Sequence, residues 1–269
     1  MKRRSAACAA AALLLQSLAG GAGAATGHVS HGNLTWTLVD LDPADGIAPS
    51  LRFLPPPAGP LGAARAYVSA FAAGVLHEDN VMATGSDPLL AELDYSPAAH
   101  TSARVDGRAD PATLSLSLDT VATLEPNGAS ATAWLHGGTL PFVLSANTGV
   151  TFHSAVLLQG ERGSEPGIYD AWLASGTLTV SLDGLAPGES VFTDYVAVTL
   201  SPSPGDPVAV DFTRELTVDY SNRTGASLTG DVALLAIGTT AIAPVPEPGM
   251  LPMALAGLAL VGWTIRRRS

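Results

Sequence analysis

Apolar and polar residues alternate with a period of two along most of the chain, from about residue 26 to 243. Leu114, Leu116 and Leu118 alternate with Ser115, Ser117 and Asp119, as they do in a strand with one buried face. The same holds for Leu34, Trp36 and Leu38, and for Leu178, Val180 and Leu182. The longest run places Val208, Val210, Phe212, Leu216, Val218 and Tyr220 on one face. Arg214 interrupts it, and Thr213-Arg214-Glu215 is expected to form a bulge or a sheet rim, since a lone buried arginine needs a partner. Further strands are expected at 66–73, 140–145, 150–158, 190–200 and 227–238. Turn clusters separate them, among them Pro126-Asn127-Gly128, Asn147-Thr148-Gly149, Pro187-Gly188 and Ser203-Pro204-Gly205-Asp206.

Many short strands without an amphipathic helix predict an all-β fold, an antiparallel β-sandwich of jelly-roll or immunoglobulin-like type. One domain over residues 26–243 accounts for the pattern. Residues 43–109 are the least regular stretch, and Pro55-Pro56-Pro57 reads as a rigid loop.

The two ends break the pattern. Lys2, Arg3 and Arg4 precede an apolar run from Ala6 to Leu15, and Ala22-Gly23-Ala24 closes the segment with small residues. That order predicts a cleavable signal peptide over residues 1–25, with the cut after Ala24 or Ala25. At the other end, Met250 to Ile265 carries no charge; as a helix its 16 residues reach roughly 24 Å, marginal for a hydrocarbon core of roughly 30 Å. Arg266, Arg267 and Arg268 then form a cytoplasmic stop, and the domain lies across the membrane from them. The signal peptide gives the same topology independently.

Charge narrows the range of partners. Between the two terminal basic clusters stand seven arginines and no lysine against 24 acidic residues, a formal charge of −17. A body so acidic repels phosphate backbones, which excludes nucleic acid as a partner. The one cysteine, Cys8, falls within the signal segment, so the body has no thiol chemistry.

Val245-Pro246-Glu247-Pro248-Gly249 directly precedes the apolar tail, and its two prolines keep it extended. Followed by a short apolar segment and terminal arginines, this stretch resembles the PEP-CTERM sorting signal of Gram-negative bacteria. The resemblance covers residues 244–269 and implies processing by an exosortase, a multi-pass membrane enzyme that cuts near the motif. Export through the Sec translocon, transient anchoring in the inner membrane, and transfer to the surface or extracellular matrix follow as expectations.

No residue set amounts to an active site or requires a cofactor, and the chain is expected not to be an enzyme. Asp40, Asp42 and Asp45 form a candidate cation site, but the spacing departs from the calcium-loop pattern at Ala44 and Leu51, which favours a solvated turn. His28 and His31 lie near the expected mature N-terminus, where a pair could hold a soft metal. His77-Glu78-Asp79 reads as a loop. Asn33-Leu34-Thr35 and Asn222-Arg223-Thr224 match the N-glycosylation sequon. The expected role is structural or adhesive. The alternative is a lectin-like module that stacks glycan on Trp134, Trp172 or Tyr169, aromatics that otherwise pack in the core, with extracellular polysaccharide as partner. A glycan hydrolase would need two carboxylates facing one another in a groove.

Overall fold

The alternating pattern becomes strands with an inward and an outward face in a computed structural model that describes residues 24–95, 98–162, 168–183, 191–201 and 207–244. The first strands are β1 (Ala24–His31), β2 (Thr35–Asp40), β3 (Leu51–Phe53), β4 (Ala64–Ala72) and β5 (Val75–Ala83). β6 (Leu89–Tyr95), β7 (Ala99–Asp106), β8 (Ser115–Thr123), β9 (Ala129–Leu144) and β10 (Thr148–Glu161) follow. The last are β11 (Ile168–Leu182), β12 (Val191–Leu200), β13 (Ala209–Asn222) and β14 (Leu228–Pro244).

They form two antiparallel sheets. One has the order β13-β10-β1-β8-β7-β6, with β2 also on β10; the other has the order β12-β11-β14-β9-β4-β5, with β3 also on β9. The sheets pack face to face over one core, to which Val29, Leu116, Leu118 and Leu158 contribute from the first and Leu135, Phe142, Trp172 and Leu234 from the second. Burial of this apolar surface is the main stabilising contribution. Among the described residues no helix is long and apolar enough to cross a membrane. The signal segment up to residue 23, the expected span at 250–265 and Arg266, Arg267 and Arg268 lie outside the described residues.

Glycines in one sheet make room for large side chains of the other. A Cβ on Gly27 would lie 1.9 Å from Trp172 Nε1, and one on Gly160 would lie 2.4 Å from Trp172 Cδ2. Trp172 is fully buried between them, so it packs in the core and offers no platform for a glycan. Gly176 likewise leaves space for His31 and Val156.

Residues 43–109, the least regular stretch, hold the five strands β3 to β7; β4 lies where a strand is expected at 66–73, and alanines fill many inward positions of β4, β6 and β7. Two further expectations need correction. Thr213-Arg214-Glu215 is no bulge, since β13 keeps an unbroken register against β10 from Ala209 to Asn222. Arg214 faces inward at the sandwich rim, where its Nη2 lies 2.8 Å from Asp194 Oδ1 and its Nη1 donates to the Tyr195 carbonyl. The partner is thus a strand-edge aspartate on the opposite sheet. His77-Glu78-Asp79 lies within β5 rather than in a loop; the His77 ring packs on Tyr95 at 4.7 Å and Glu78 accepts from the Tyr67 hydroxyl.

Asn222, in one of the two sequons, is fully buried. Its Nδ2 donates to the carbonyls of Ser145 (3.0 Å) and Ala226 (2.9 Å), and its Oδ1 accepts from Thr224. Asn222→Ala is expected to cost about 1–3 kcal/mol for each buried group it orphans, read as a lower urea midpoint. An unchanged midpoint would show that these bonds contribute nothing net.

Candidate functional site

The two ends of the described chain leave the domain together. Ala25, fully buried in β1, pairs with Ala122 of β8, and Ala122 packs in one cluster with Ile242 near the end of β14. β1 and β14 are both interior strands and face each other across the core. The cluster at this end is built of Ala72, Ala98, Ala122 and Ala129 around Ile242. Of the expected signal-cleavage residues, Ala22 lies outside the described residues, while Ala24 and Ala25 are the first two residues of β1.

β14 ends at Pro244, still paired with Ile168 of β11. The next residue begins the stretch Val245 to Gly249, and five residues of chain reach at most about 18 Å before the apolar segment at Met250. Residues 244–268 match a PEP-CTERM protein-sorting motif. This chain carries an exosortase sorting signal. The PEP-CTERM motif thus follows an interior strand directly, with no long linker between folded domain and signal. No curated protein matches the chain. Among solved structures, the outer membrane protease OmpT from Escherichia coli is similar at 10% identity, with 81% of this chain and 95% of that chain covered and a TM-score of 0.15. A score of that size carries no argument about fold or function.

Within the domain, the sequence-derived candidates are dispersed. His28 and His31 sit on opposite faces of β1, as residues three apart on a strand must, so they cannot share an ion. His28 faces outward, with Nδ1 2.8 Å from Asp119 Oδ1. His31 is buried; its Nε2–H donates to the Leu235 carbonyl at 2.9 Å, and its Nδ1 accepts from Ser154 Oγ at 3.1 Å. Burial pushes the His31 pKa down to about 4, so the ring is neutral at physiological pH.

The three aspartates of the candidate cation site act as turn caps. Asp40 accepts from the Asp42 amide, Asp42 from the Ala44 amide, and Asp45 from the Ile47 amide and the Asn147 side chain. The Asn147 bond is the main reason the Asp45 carboxyl lies below its usual pKa. Among the described residues no group of three or more histidine, cysteine or acidic side chains is placed to hold a metal ion.

One surface was not legible in the sequence. On the outer face of the first sheet, Asp211, Gln159, His28 and Asp119 align across β13, β10, β1 and β8. They line a trough of about 400 Å³ with Thr26 and Glu161. His28 and Ser102 both bond the Asp119 carboxylate rather than each other. The His28 bond is the leading cause of the lowered Asp119 pKa. Such a set holds a carboxylate ionised; it does not activate a serine, which would require contact between the hydroxyl and the base. Register assembled the row from four strands far apart in sequence, and no local motif reports it.

On the outer face of the second sheet, Trp134 stands between Ile237 of β14 and Tyr67 of β4. Its half-buried ring is stacked on His136 at 6.1 Å and 17°. Tyr169 lies in β11 opposite Ala243. Asp231 is the described carboxylate whose pKa is pushed up, by burial first and by the Asp183 charge second. Asp183 accepts from the Thr229 hydroxyl at 2.8 Å, so it has a structural partner.

Proposed function

We propose that this protein is an exosortase-processed surface or matrix component of a Gram-negative bacterium, with a structural or adhesive role and no catalysis of its own. The single observation that carries the reading is the PEP-CTERM motif at residues 244–268, which begins at the last residue of an interior strand. In this reading Pro246, Glu247 and Pro248 are the handle for the processing enzyme, and Arg266, Arg267 and Arg268 hold the tail in the cytoplasm until the cut. The Sec translocon delivers the chain, and the alanine-lined end of the sandwich faces the membrane because both chain ends leave there.

The same reading takes the fold as a jelly-roll relative, since the chain crosses between sheets repeatedly, at β2 to β3, β5 to β6, β8 to β9, β9 to β10, β10 to β11, β12 to β13 and β13 to β14. The bonding of His28 and Ser102 to the Asp119 carboxylate, rather than to each other, supports the non-catalytic role.

A second reading, a carbohydrate-binding module, rests on Trp134 with Tyr67 on an outward sheet face. In that reading extracellular polysaccharide is the partner.

Replacing Pro246, Glu247 and Pro248 by alanine is expected to leave the protein in the inner-membrane fraction of its host, while the wild type reaches the surface or medium. Equal release of variant and wild type would contradict the sorting role. For the second reading, Trp134→Ala is expected to abolish retention on immobilised host polysaccharide, and retention unchanged by the substitution would remove it.

A further inference from the structure

The two outer faces of the sandwich differ in kind. Register puts Glu92, Asp94, Asp119, Glu161, Asp211 and Asp219 on the outer face of the first sheet, against Arg104, which is itself paired with Asp106. On the outer face of the second sheet, the charged residues among the described strand positions are Arg52, Arg65, Glu78 and Asp231, which cancel. The net negative charge of the outer faces thus lies on one side.

The neutral face is also the apolar one. Leu76 and Met82 of β5, Leu173 of β11 and Tyr195 of β12 are exposed on it. Between them the half-buried Tyr67, Trp134, Leu235 and Ile237 fill the centre without belonging to the core. Polar groups at that centre are already bonded within the chain. The Tyr67 hydroxyl donates to Glu78, Arg65 Nη2 donates to the Pro60 carbonyl at 2.9 Å, and His136 Nδ1 accepts from the Gly138 amide at 3.0 Å. Burial first, then Arg65 and Arg108, pushes the His136 pKa down, so that ring adds no charge. Covering the face therefore orphans few groups, which is where the cost of desolvation lies.

Size and symmetry point to the occupant. Six strands about 4.8 Å apart, with outward residues about 6.8 Å apart over four rows, span roughly 750 Å², close to the ~800 Å² that each partner covers in a standard interface. The rows also match themselves under a two-fold axis that runs along the strands between β9 and β14. Such an axis sets Trp134 over Ile237 of the other copy and Ile237 over its Trp134, and brings Met82 to its Tyr195. Glu78 then meets Thr199 rather than a second Glu78. Both chains leave the pair at the same end, beside Ile242, so two copies can pair while their tails share one membrane. The acidic faces lie on the two far sides, where they repel least.

We propose that the outer face of the second sheet binds a second copy of this chain, in a two-fold dimer that covers Trp134, Ile237 and Leu173 and turns both acidic faces outward. The pairing does not depend on how the chain is sorted. It covers Trp134, so it and the carbohydrate reading of that residue exclude one another.

The test uses the full chain in detergent, carrying Cys8→Ser and a nitroxide on Ser117→Cys, an outward position of β8 in the first sheet. Two such labels in the dimer are separated by three sheet spacings of about 10 Å and their own arms, so pulsed electron resonance is expected to give one intermolecular distance of roughly 30–45 Å. Leu173→Glu places a charge opposite Ser69 and beside Glu78 of the other copy, at a position 42% exposed in the single chain. It is expected to weaken association at least about tenfold and remove the distance, with the urea midpoint unchanged, which separates a lost dimer from a lost fold. No intermolecular distance at about 50 μM protein overturns the proposal. A distance below about 20 Å, which means pairing through the acidic faces, also overturns it, as does one that survives Leu173→Glu, which means pairing through the tail. A monomer held on host polysaccharide through Trp134 overturns it in favour of the carbohydrate reading.

Discussion

Trp172→Ala is expected to cost about 3–5 kcal/mol, the range for removing a large buried aromatic that leaves a cavity. The indole fills a space that exists because Gly27 and Gly160 present bare backbone to it, so neither position has a side chain to move into the void. The reciprocal change, Gly160→Val, is expected to be at least as damaging, since its Cβ would lie 2.4 Å from the indole. Trp172→Phe separates packing from hydrogen bonding. Trp172 Nε1 is buried with no partner, so phenylalanine removes an unsatisfied donor while it keeps an aromatic ring in the slot. Its loss of stability is expected to be a small fraction of that of Trp172→Ala, with urea midpoints as the measurement and m unchanged. Equal losses for the two variants would mean that the indole nitrogen is bonded after all.

Acid is expected to weaken the fold over a defined window. The His31 pKa is about 4 in the folded protein against an ordinary histidine value of 6.5, so between these pH values the unfolded chain binds a proton that the folded chain refuses. Stability is therefore complete above about pH 6.5 and falls as pH drops through the window, at up to 1.36 kcal/mol per unit, for a total on the order of 3 kcal/mol. His136 is shifted in the same direction, by burial first and by Arg65 and Arg108 after it, and adds to the slope. His31→Leu is expected to flatten the dependence while it lowers the plateau, because it strips partners from Ser154 and the Leu235 carbonyl. A wild-type profile with no slope between pH 6.5 and 4 would contradict the neutral, buried assignment.

These two predictions also show which parts of the fold were legible in the sequence. β10, β12 and the second half of β11 announce themselves, because large apolar residues occupy most inward positions, and β8 does so through Leu116 and Leu118 at its start. β1 does not. Its inward residues are Ala25, Gly27, Val29 and His31, of which only one is a large hydrocarbon, and the glycine is there for a tryptophan 145 positions away. The first half of β9 is concealed in the same way by inward alanines. Arg214 looked like an interruption because its partner, Asp194, comes from the other sheet. Periodicity reports a strand's own composition, while knobs and slots between sheets are set by pairs distant in sequence.

For the candidate sites the division is sharper. The sorting motif is a contiguous string and reads directly. The Asp119 row depends on register, which no local spacing encodes. His28 and His31 point the other way: close in sequence, they are divided by the sheet they belong to.

The central claim is that a folded sandwich is released from its sorting tail. Its sharpest geometric consequence is that the cut cannot fall within β14, which lies between β11 and β9 and is paired up to Pro244. The measurement is intact mass spectrometry of the protein recovered from the surface or medium of its host. The account predicts a C-terminus beyond Pro244 and before Met250, with the apolar segment and the arginines gone. A recovered chain that still ends at Ser269, or one cut upstream of Pro244, would contradict it.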